Sequence, residues 1–452
     1  MQAASRRQAI ISGPVGKTLV SLTWPMLFAL IAIMGLGLVD SYFISFLGTK
    51  ELAAIAFAMP ITLIVVNIAL GMGMAISSLN SKLIGANKTE QAARLISDGF
   101  ILTSVVAVLV SLLLFGFMQT IFKLLGAQNE TLPLINEYMI TWSLGIVFLM
   151  LTQVCSSTFR SLGDTKTSAQ ISIVLTITNI VLDPLLIFGL GPFPELGLQG
   201  AALATLISVI VSCLLGLYRL GWTEKLLISA LPPLIEFKNN LKLLLEIAIP
   251  AVLANAIVPL SAAITTAVIA RHGTDAIAGF GVGTRIEAVS ILLVYALSST
   301  LPMFIGQNLG AGNRSRVLSA LKLSFKFVII SQLVIYAFLA IFATNVSALF
   351  SDQESVRRVI ELFLYILPIS YGVSGIVILI NVSLNVLEKA KVALYINILR
   401  MCLFYIPFAL IGSYLLNVKG VFIGLSFGNL CAFIMAYLFL HKILKEQNVI
   451  DK

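Results

Sequence analysis

The sequence predicts an all-α polytopic membrane protein in which twelve transmembrane helices form two six-helix lobes. Of its 452 residues, 59% are hydrophobic and only 11% are charged, and the mean hydropathy is +1.03. Soluble domains carry roughly 25% charged residues, and no soluble core buries this much apolar surface. Because a helical span needs about 20 apolar residues, the chain has room for about twelve spans with short connections.

Apolar runs separated by charged or by glycine- and proline-rich breaks define the twelve spans. The first six are predicted at 18–42, 53–80, 96–122, 132–158, 167–189 and 197–218. The second six are predicted at 242–270, 277–305, 318–344, 357–384, 392–415 and 420–441. We therefore predict an N-terminal lobe at 1–218, a cytoplasmic linker at 219–241 that contains Pro232 and Pro233, and a C-terminal lobe at 242–452.

The lysine and arginine residues predict the orientation of these spans. An even number of spans puts both termini on one side, and that side collects most of the basic residues in the loops. The opposite side has only Lys50, Lys123, Arg271, Arg357, Arg358 and Lys419. The positive-inside rule then makes the termini cytoplasmic. The first apolar run is too long for a signal peptide, so we expect a retained multi-pass protein of a bacterial inner (plasma) membrane.

The two halves of the chain read as repeats of each other. A shift of 225 residues superposes Pro25 on Pro250, Gly48 on Gly273, Gly85 on Gly310 and Lys166 on Lys391. With six spans per half, the repeats are parallel. Parallel repeats related by an axis along the membrane normal are a recurring transporter architecture, with the substrate path between the halves. Gene duplication in a membrane protein that transports nothing is the alternative.

The first span combines an acidic residue with a proline. Asp40 is the only charged residue between Thr23 and Tyr42, and Pro25 lies near the start of that stretch. A carboxylate in hydrocarbon is costly and marks a functional site by default. A proline removes one backbone hydrogen bond and makes a point at which the helix bends. The span therefore predicts a proton-driven switch hinged at Pro25; the alternative is that Asp40 only caps the helix at the membrane surface.

The fifth span has a polar stripe. Thr176, Asn179 and Asp183 follow the spacing i, i+3 and i+7, which places them on one helix face. Pro184 disfavours helical geometry at Asp183 and predicts a kink beside the acid. The stripe predicts a proton or cation site, whereas polar contacts that only hold helices together are the alternative. Asp40 and Asp183 have no acidic counterparts in the second half, where the shift places Thr265 and Phe408.

Several other polar residues lie within the spans. Asn67, Tyr138, Gln153 and Thr205 each could reach the same site or form a hydrogen bond between helices. In the second half, we expect the charged groups to be interfacial or paired rather than ion-coupling; they are Arg285, Glu287, Arg400, Glu246 and Glu361.

Motifs for other chemistry are missing from the sequence. Nothing matches the nucleotide-binding pattern GxxxxGK[ST], the chain has only two histidines, and no nucleophile elbow is present. The four cysteines lie in separate apolar runs without metal or redox spacing. We therefore predict no enzyme, no bound cofactor or metal centre and no nucleic-acid partner, and transport driven by an ion gradient.

The chain resembles the multidrug and toxic compound extrusion (MATE) family over essentially its whole length. The shared features are the segment WPMLFALIAIMGLGLVDSYFISFLG in span one, the loop LIGANKTEQA with its counterpart NLGAGNRSR, and FRSLGDTK after span four. The run NIVLDPLLIFGLG in span five is similar to the DinF-like branch of that family.

This resemblance implies two six-helix lobes in a V shape that export cationic or amphipathic drugs and dyes, and thereby confer antibiotic resistance, by antiport with protons. Carried over by position, Asp40, Asn179, Asp183 and Thr205 would couple to the proton, and Pro25 would be the hinge. The substrate cavity would be lined by Tyr138, Gln153, Thr176 and Asn67. We expect a monomer in the lipid bilayer.

Two alternatives remain for the transported species. The sodium-coupled NorM-like branch has acids in the C-terminal lobe, and the corresponding stretches here, ANAIVPLSAA and SYGVSGIVILIN, have none, which favours protons. A sodium ion at Asp40, Asn179, Asp183 and Thr205 is the alternative within the N-terminal lobe. The other alternative is a flippase for lipids or lipid-linked sugars of the same superfamily.

Overall fold

This computed structural model describes residues 2–128, 130–228 and 233–449, with side chains from Ala4 onward. Over these residues the chain forms helices and no β-strand, as the sequence predicts. The helices of the first half are α1 (Gln2–Ser12), α2 (Val15–Ser45), α3 (Thr49–Gly85), α4 (Thr89–Leu124), α5 (Leu132–Leu144), α6 (Ile146–Ser161), α7 (Thr165–Ile187) and α8 (Gly197–Tyr218).

The second half follows the same order of long helices. They are α9 (Leu234–Ala270), α10 (Thr274–Ser290), α11 (Leu292–Gly310), α12 (Arg314–Ile341), α13 (Ala343–Phe350), α14 (Glu354–Ile366), α15 (Tyr371–Val386), α16 (Ala390–Leu399) and α17 (Ile406–Glu446). A π-helical segment, Arg219–Thr223, extends α8, and a second one, Arg400–Tyr405, joins α16 to α17. A 3₁₀ turn, Pro368–Ser370, joins α14 to α15.

Ten helical stretches of the described chain are long and apolar enough to cross a membrane, and the pair α5 and α6, bent by 47°, makes an eleventh. The stretch Ala390–Glu446 has 57 residues, or about 85 Å of helix, which exceeds one bilayer crossing of about 30 Å. Its backbone leaves helical geometry at Leu416 and Asn417, where φ of Asn417 is 53°. This break separates the predicted spans eleven and twelve and completes the set of twelve.

Glycines let the two parts of α17 pack backbone against backbone beside this break. A Cβ atom on Gly412 would collide with the carbonyl of Gly420, and a Cβ atom on Gly424 would collide with the carbonyl of Phe408. Small residues at such positions are the usual means of close helix approach in membranes, where apolar burial gives little driving force between helices.

The chain divides into two compact units. Unit 1 contains Met1–Ala9 and Ser21–Ala248, and unit 2 contains Ile10–Val20 and Ile249–Lys452. The division thus falls within α9, and the start of α2 belongs with unit 2. In unit 1, α6 packs against α3, α4, α7 and α8, and α7 packs along α8. In unit 2, α15 packs against α11, α12, α16 and α17, and α10 packs along α14.

Helices α2 and α9, the first spans of the two repeats, differ from the others. The division between unit 1 and unit 2 passes through each of them. Each has proline inside it: Pro25 in α2, and Pro250 and Pro259 in α9. α2 is helical through Pro25 and docks on α7 through Met26 and Ala29, which contact Ala169.

The segment predicted as the linker is held against unit 1 at its start and end. The backbone N–H of Ile228 donates to Ser97 Oγ at 2.8 Å, and Asn240 Nδ2 donates to Asp98 Oδ2 at 2.8 Å. Arg94 pairs with the other oxygen of Asp98 at 3.2 Å. The predicted linker therefore begins and ends in helix rather than in open loop, and Pro232 lies outside the described residues.

The basic N-terminal segment forms a helix that the hydrophobic pattern does not predict. Arg6 of α1 pairs with Glu224 at 2.8 Å and with Asp164 at 3.3 Å. Arg7 donates to the carbonyl oxygens of Ile84 and Gly85, at 2.9 and 2.7 Å, and so satisfies the C-terminal end of α3.

Candidate functional site

Helix α7 presents the predicted polar stripe to the interior of unit 1. Asp164 caps its start, because its carboxylate accepts the N–H of Thr167 at 3.1 Å. Thr176 is 4% exposed, and Asn179 and Asp183 are each 1% exposed. The spacing of the three residues therefore predicted their common face correctly.

The proline predicted to kink α7 lies inside a continuous helix. α7 stays helical through Pro184 to Ile187, and the N–H of Phe188 donates to the Pro184 carbonyl at 3.3 Å. Proline only disfavours helical geometry in the residue before it, and close packing of α8 along this part of α7 maintains the helix. A Cβ atom on Gly200 of α8 would collide with the carbonyl of Leu186, so this glycine permits the approach.

Asn179 joins the two predicted acids. In the amide orientation that satisfies both of its ends, its nitrogen donates to Asp40 Oδ1 at 2.9 Å and to Asp183 Oδ2 at 3.2 Å. Its oxygen accepts the backbone N–H of Thr205 at 3.2 Å. The structure thus brings the four residues predicted as the coupling set, from α2, α7 and α8, into one cluster.

The carboxyl groups of Asp40 and Asp183 also lie within hydrogen-bond contact of each other. Two carboxyl groups in such contact can share one proton, since like charges repel at short range and a hydrogen bond between them needs a hydrogen. Asp183 Oδ1 is buried without a hydrogen-bond partner in the described part of the chain. Asp40 is half-buried, so the pair is reached from its Asp40 side.

Two of the four predicted cavity residues lie by this cluster. The Tyr138 hydroxyl, on α5, is within electrostatic range of both Asp40 and Asp183. Thr176 lies one helical turn before Asn179, and its hydroxyl is buried without a partner in the described chain. Gln153 on α6 and Asn67 on α3 are half-buried, and no contact links either of them to the carboxyl pair among the described residues.

The second unit has a polar cluster of a different kind. Arg400 donates to Ser374 Oγ at 3.0 Å and to Asn429 Oδ1 at 2.9 Å, and Asn429 donates to Ser370 Oγ at 3.0 Å. Arg400 was expected to be interfacial or paired, and its partners are neutral side chains rather than a carboxylate. Sequence reasoning missed Ser370, Ser374 and Asn429, because isolated serine and asparagine residues in apolar spans give no distinctive pattern.

A duplicated set of six membrane spans with a carboxyl pair buried in one copy is typical of secondary transporters. The MatE family model matches this chain twice, at residues 25–185 and 250–411, so that the two matches begin 225 residues apart. The chain belongs to this family and is a MATE-type efflux transporter, hence a multi-pass membrane protein.

Relatives and solved structures extend this likeness over the whole chain. The FAD transporter of Shewanella oneidensis is 40% identical over 437 residues, which is 97% of each chain. The multidrug export protein MepA of Staphylococcus aureus is 24% identical over 97% of this chain and 96% of its own. The crystal structure of the Vibrio cholerae MATE transporter VcmN in its bent form has a TM-score of 0.91 and 32% identity, covering 98% of this chain and 99% of VcmN. The twelve-helix fold predicted from the sequence is thereby confirmed.

Proposed function

We propose that this protein exports organic molecules in exchange for protons, and that Asp40 and Asp183 carry the proton. The observation that supports this is the cluster in unit 1, where one amide bridges two carboxyl groups that contact each other. A pair of this kind changes its charge by one with the gain or loss of a single shared proton. Unit 2 has no acid at the corresponding positions, Thr265 and Phe408.

Proton binding would change how strongly Asp183 attracts Asp40 and, with it, α2. When the pair has lost its proton, Asp40 and Asp183 repel each other and offer negative charge to a cationic substrate. When the pair is protonated, the charge available to the substrate falls and Asp40 is drawn to Asp183. Pro25 has no N–H to donate to the carbonyl of Ser21, which makes a weak point in α2 at that turn. Bending of α2 at Pro25 would then reduce the room for substrate in unit 1 and release it outward.

A sodium ion is the competing coupling ion. Carboxylate, amide and hydroxyl oxygens of Asp40, Asp183, Asn179 and Thr205 are ligands that a hard cation accepts. The proton is favoured because the stretches ANAIVPLSAA and SYGVSGIVILIN, where the sodium-coupled branch has acids, have none here. A sodium site would need the Asn179 amide to present its oxygen to the ion, opposite to the orientation that satisfies its hydrogen bonds.

The relatives indicate two substrate classes. MepA is a multidrug export protein, and cationic amphipathic drugs and dyes suit the negative charge of the deprotonated pair. The relative with 40% identity is an FAD transporter, which makes FAD the second candidate. FAD is anionic through its pyrophosphate, so the deprotonated pair would repel it, and its contacts would have to lie elsewhere.

The test is gradient-driven transport in proteoliposomes that contain the purified protein. Vesicles loaded with ethidium or FAD are diluted into media that impose either a pH gradient or a sodium gradient. We expect substrate movement with the pH gradient alone, and background movement for Asp40→Asn. Movement driven only by the sodium gradient would show that sodium, and not the proton, is the coupling ion. No movement of either substrate would refute export.

The topology is part of the same proposal. We infer that the protein lies in the bacterial inner membrane with both termini in the cytoplasm, as the distribution of basic loop residues favours. A cysteine introduced near the C-terminus at Gln447 should then be labelled by a membrane-impermeant maleimide in inside-out vesicles and not in intact cells.

A further inference from the structure

An apolar groove runs along the last helix of unit 2 and has a lysine at one end. Most of its lining belongs to α17, which contributes Cys431, Ile434, Met435, Leu438, Phe439 and Lys442. Phe404, from the π-helical segment before α17, forms the opposite wall. The groove has a volume of about 480 Å³, within the range of about 300–1,000 Å³ that sites for small molecules occupy.

The groove follows one face of α17. Its six residues on that helix recur at intervals of three or four, which is the spacing of a single helical face. A neighbouring face packs into unit 2, where Ala436 and Leu440 are buried. In contrast, Leu438 is 62% exposed and Ile434 is 50% exposed. α17 therefore has a second apolar face that no other part of the described chain covers.

The length of the groove matches one leaflet of a bilayer. A Cβ atom on Gly428 would lie 3.2 Å from the Phe404 carbonyl oxygen, so the two walls meet at that level. The Phe404 ring stacks on Phe408 with centroids 6.3 Å apart, which fixes its wall. Cys431 lies one turn beyond Gly428, and Lys442 lies about three turns, or about 16 Å, further along α17. This distance is about half of the roughly 30 Å hydrocarbon thickness.

Lys442 provides the charge of the groove. It is exposed, and it makes neither a hydrogen bond nor an ion pair within 4 Å to any residue that the structure describes. The other ionisable groups at this end of α17 are His441, Lys445 and Glu446. Glu446 is the only acid among them and does not pair with Lys442. Positive charge beside an apolar groove at the membrane border attracts the headgroup of an anionic lipid.

A second groove in unit 1 shows what distinguishes this one. It lies between α3 and α4, has a volume of about 450 Å³, and is lined by residues that include Val65, Leu113 and Phe117. None of its lining residues is charged. The two grooves are thus alike in size and in apolar character, but the groove on α17 alone of the two adds a cation to the apolar stripe.

We propose that the groove on α17 binds one anionic phospholipid. An acyl chain lies along the apolar stripe, and the ammonium group of Lys442 contacts the headgroup phosphate as a point charge. A zwitterionic lipid presents its own ammonium group beside the phosphate and gains less from the lysine. This site goes beyond the proposed export, since it uses none of the coupling residues of unit 1.

The headgroup contact is tested by native mass spectrometry of the purified full-length protein in detergent. The protein is titrated with phosphatidylglycerol or with phosphatidylcholine that has the same acyl chains. We expect the first phosphatidylglycerol to bind about fivefold more tightly, which is the effect of one lysine near an anionic headgroup. Lys442→Gln should lose this preference. Lys322→Gln, at an exposed lysine of α12 that lines neither groove, should retain it.

The acyl-chain contact is tested by filling the groove. Leu438→Trp places an indole ring in it and should weaken the binding of both lipids several-fold. Leu113→Trp is the matched control, because it fills the uncharged groove of unit 1 at a leucine that is 58% exposed. It should leave the preference for phosphatidylglycerol as in the wild type. Both leucines are exposed, so the melting temperatures should stay at that of the wild type.

The outcomes separate a lipid site from its alternatives. Equal affinities of the wild type for the two lipids, or a retained preference in Lys442→Gln, would overturn the proposal, as would unchanged binding to Leu438→Trp. Displacement of the lipid by an equal concentration of glycerol 3-phosphate would assign the site to a free phosphate instead. Asp40→Asn should bind phosphatidylglycerol as the wild type does, so the lipid site stands or falls independently of proton-driven export.

Discussion

At the scale of single residues, Asn179 is the group on which the unit 1 site depends. Its amide nitrogen contacts both carboxyl groups and its oxygen accepts a backbone N–H of α8. A buried amide with both ends satisfied fixes the positions of its partners. Loss of Asn179 would leave Asp183 in a buried position with few donors, since its Oδ1 already lacks a partner among the described residues.

We predict that Asn179→Leu lowers the free energy of unfolding by about 1–3 kcal/mol, because buried acceptors lose their donors. Thermal unfolding in detergent measures this change. The control is Asn67→Leu, which makes the same substitution at a half-buried residue with no hydrogen bond to another described residue. It should change the free energy by less than about 0.5 kcal/mol. Equal effects of the two substitutions would show that the amide bridge is unimportant.

The acid of α2 should be required for coupling and not for folding. We predict that Asp40→Asn keeps the expression and melting temperature of the wild type, since asparagine fills the same half-buried space, but reduces proton-driven efflux to that of empty vesicles. Glu137→Gln, which neutralises an exposed carboxylate next to Tyr138, should retain full efflux. Full efflux by Asp40→Asn would remove the carboxyl pair from the mechanism.

Residue spacing predicted the part of this site that α7 contributes, and it did not predict the contact with α8. Thr176, Asn179 and Asp183 were found from helical periodicity, because residues at i, i+3 and i+7 share a face. The contact of Asn179 with the Thr205 backbone could not be found this way, since it depends on how closely α8 approaches α7. Gly200 permits that approach, and a lone glycine in an apolar run gives no such signal.

At the scale of helices, α2 has the properties of a moving element. It contains an internal proline, and it contacts α7 through the cluster at Asp40 and through Met26 and Ala29. A proline inside a helix removes one backbone hydrogen bond and makes a point at which the helix bends. The state of the carboxyl pair can therefore affect the whole helix.

We predict that Pro25→Ala slows efflux while ethidium binding at equilibrium stays within about twofold of the wild type. Alanine restores the missing donor and removes the hinge, so that α2 bends less readily. The matched control is Pro60→Ala in α3, a helix that packs closely on α4 and α6. Efflux rates in proteoliposomes compare the two, and a wild-type rate for Pro25→Ala would contradict the hinge.

Spans eleven and twelve depend on close backbone contact. We predict that Gly424→Val lowers the melting temperature in detergent, at a cost of about 1–3 kcal/mol or more, because the side chain meets the Phe408 carbonyl. Gly116→Val is the control, since a Cβ atom there has no atom within 4 Å. A Gly424→Val protein as stable as the control would mean that α17 does not fold back at Asn417.

Hydropathy predicted the membrane spans and missed the short polar helices. Each of the twelve predicted ranges lies largely in helix, although α4 and α9 begin seven and eight residues before the predicted spans. Long apolar runs have no other stable form in a bilayer. Helices α1 and α13 were missed, since α1 is polar and α13 has only eight residues. The stability of α1 depends on ion pairs with Asp164 and Glu224, which lie far away in the sequence.

At the scale of the molecule, one duplicated scaffold has two different polar sites. Unit 1 has a pair of carboxyl groups bridged by an amide, and unit 2 has an arginine that donates to a serine and an asparagine. The repeat in the sequence predicted the duplicated fold. The absence of acids at positions 265 and 408 predicted that the units would differ, but the unit 2 cluster emerged only from contacts among separate helical segments.

The most direct test of proton coupling runs the exchange in reverse. Coupling between two ligands is reciprocal, so a substrate gradient must move protons when the pH is initially equal on both sides. Proteoliposomes containing a trapped pH-sensitive dye are given an ethidium or FAD gradient, with the membrane potential clamped at zero. We predict proton movement opposite to that of the substrate for the wild type and none for Asp40→Asn. Substrate movement without any pH change, or an equal pH change with Asp40→Asn, would contradict the account.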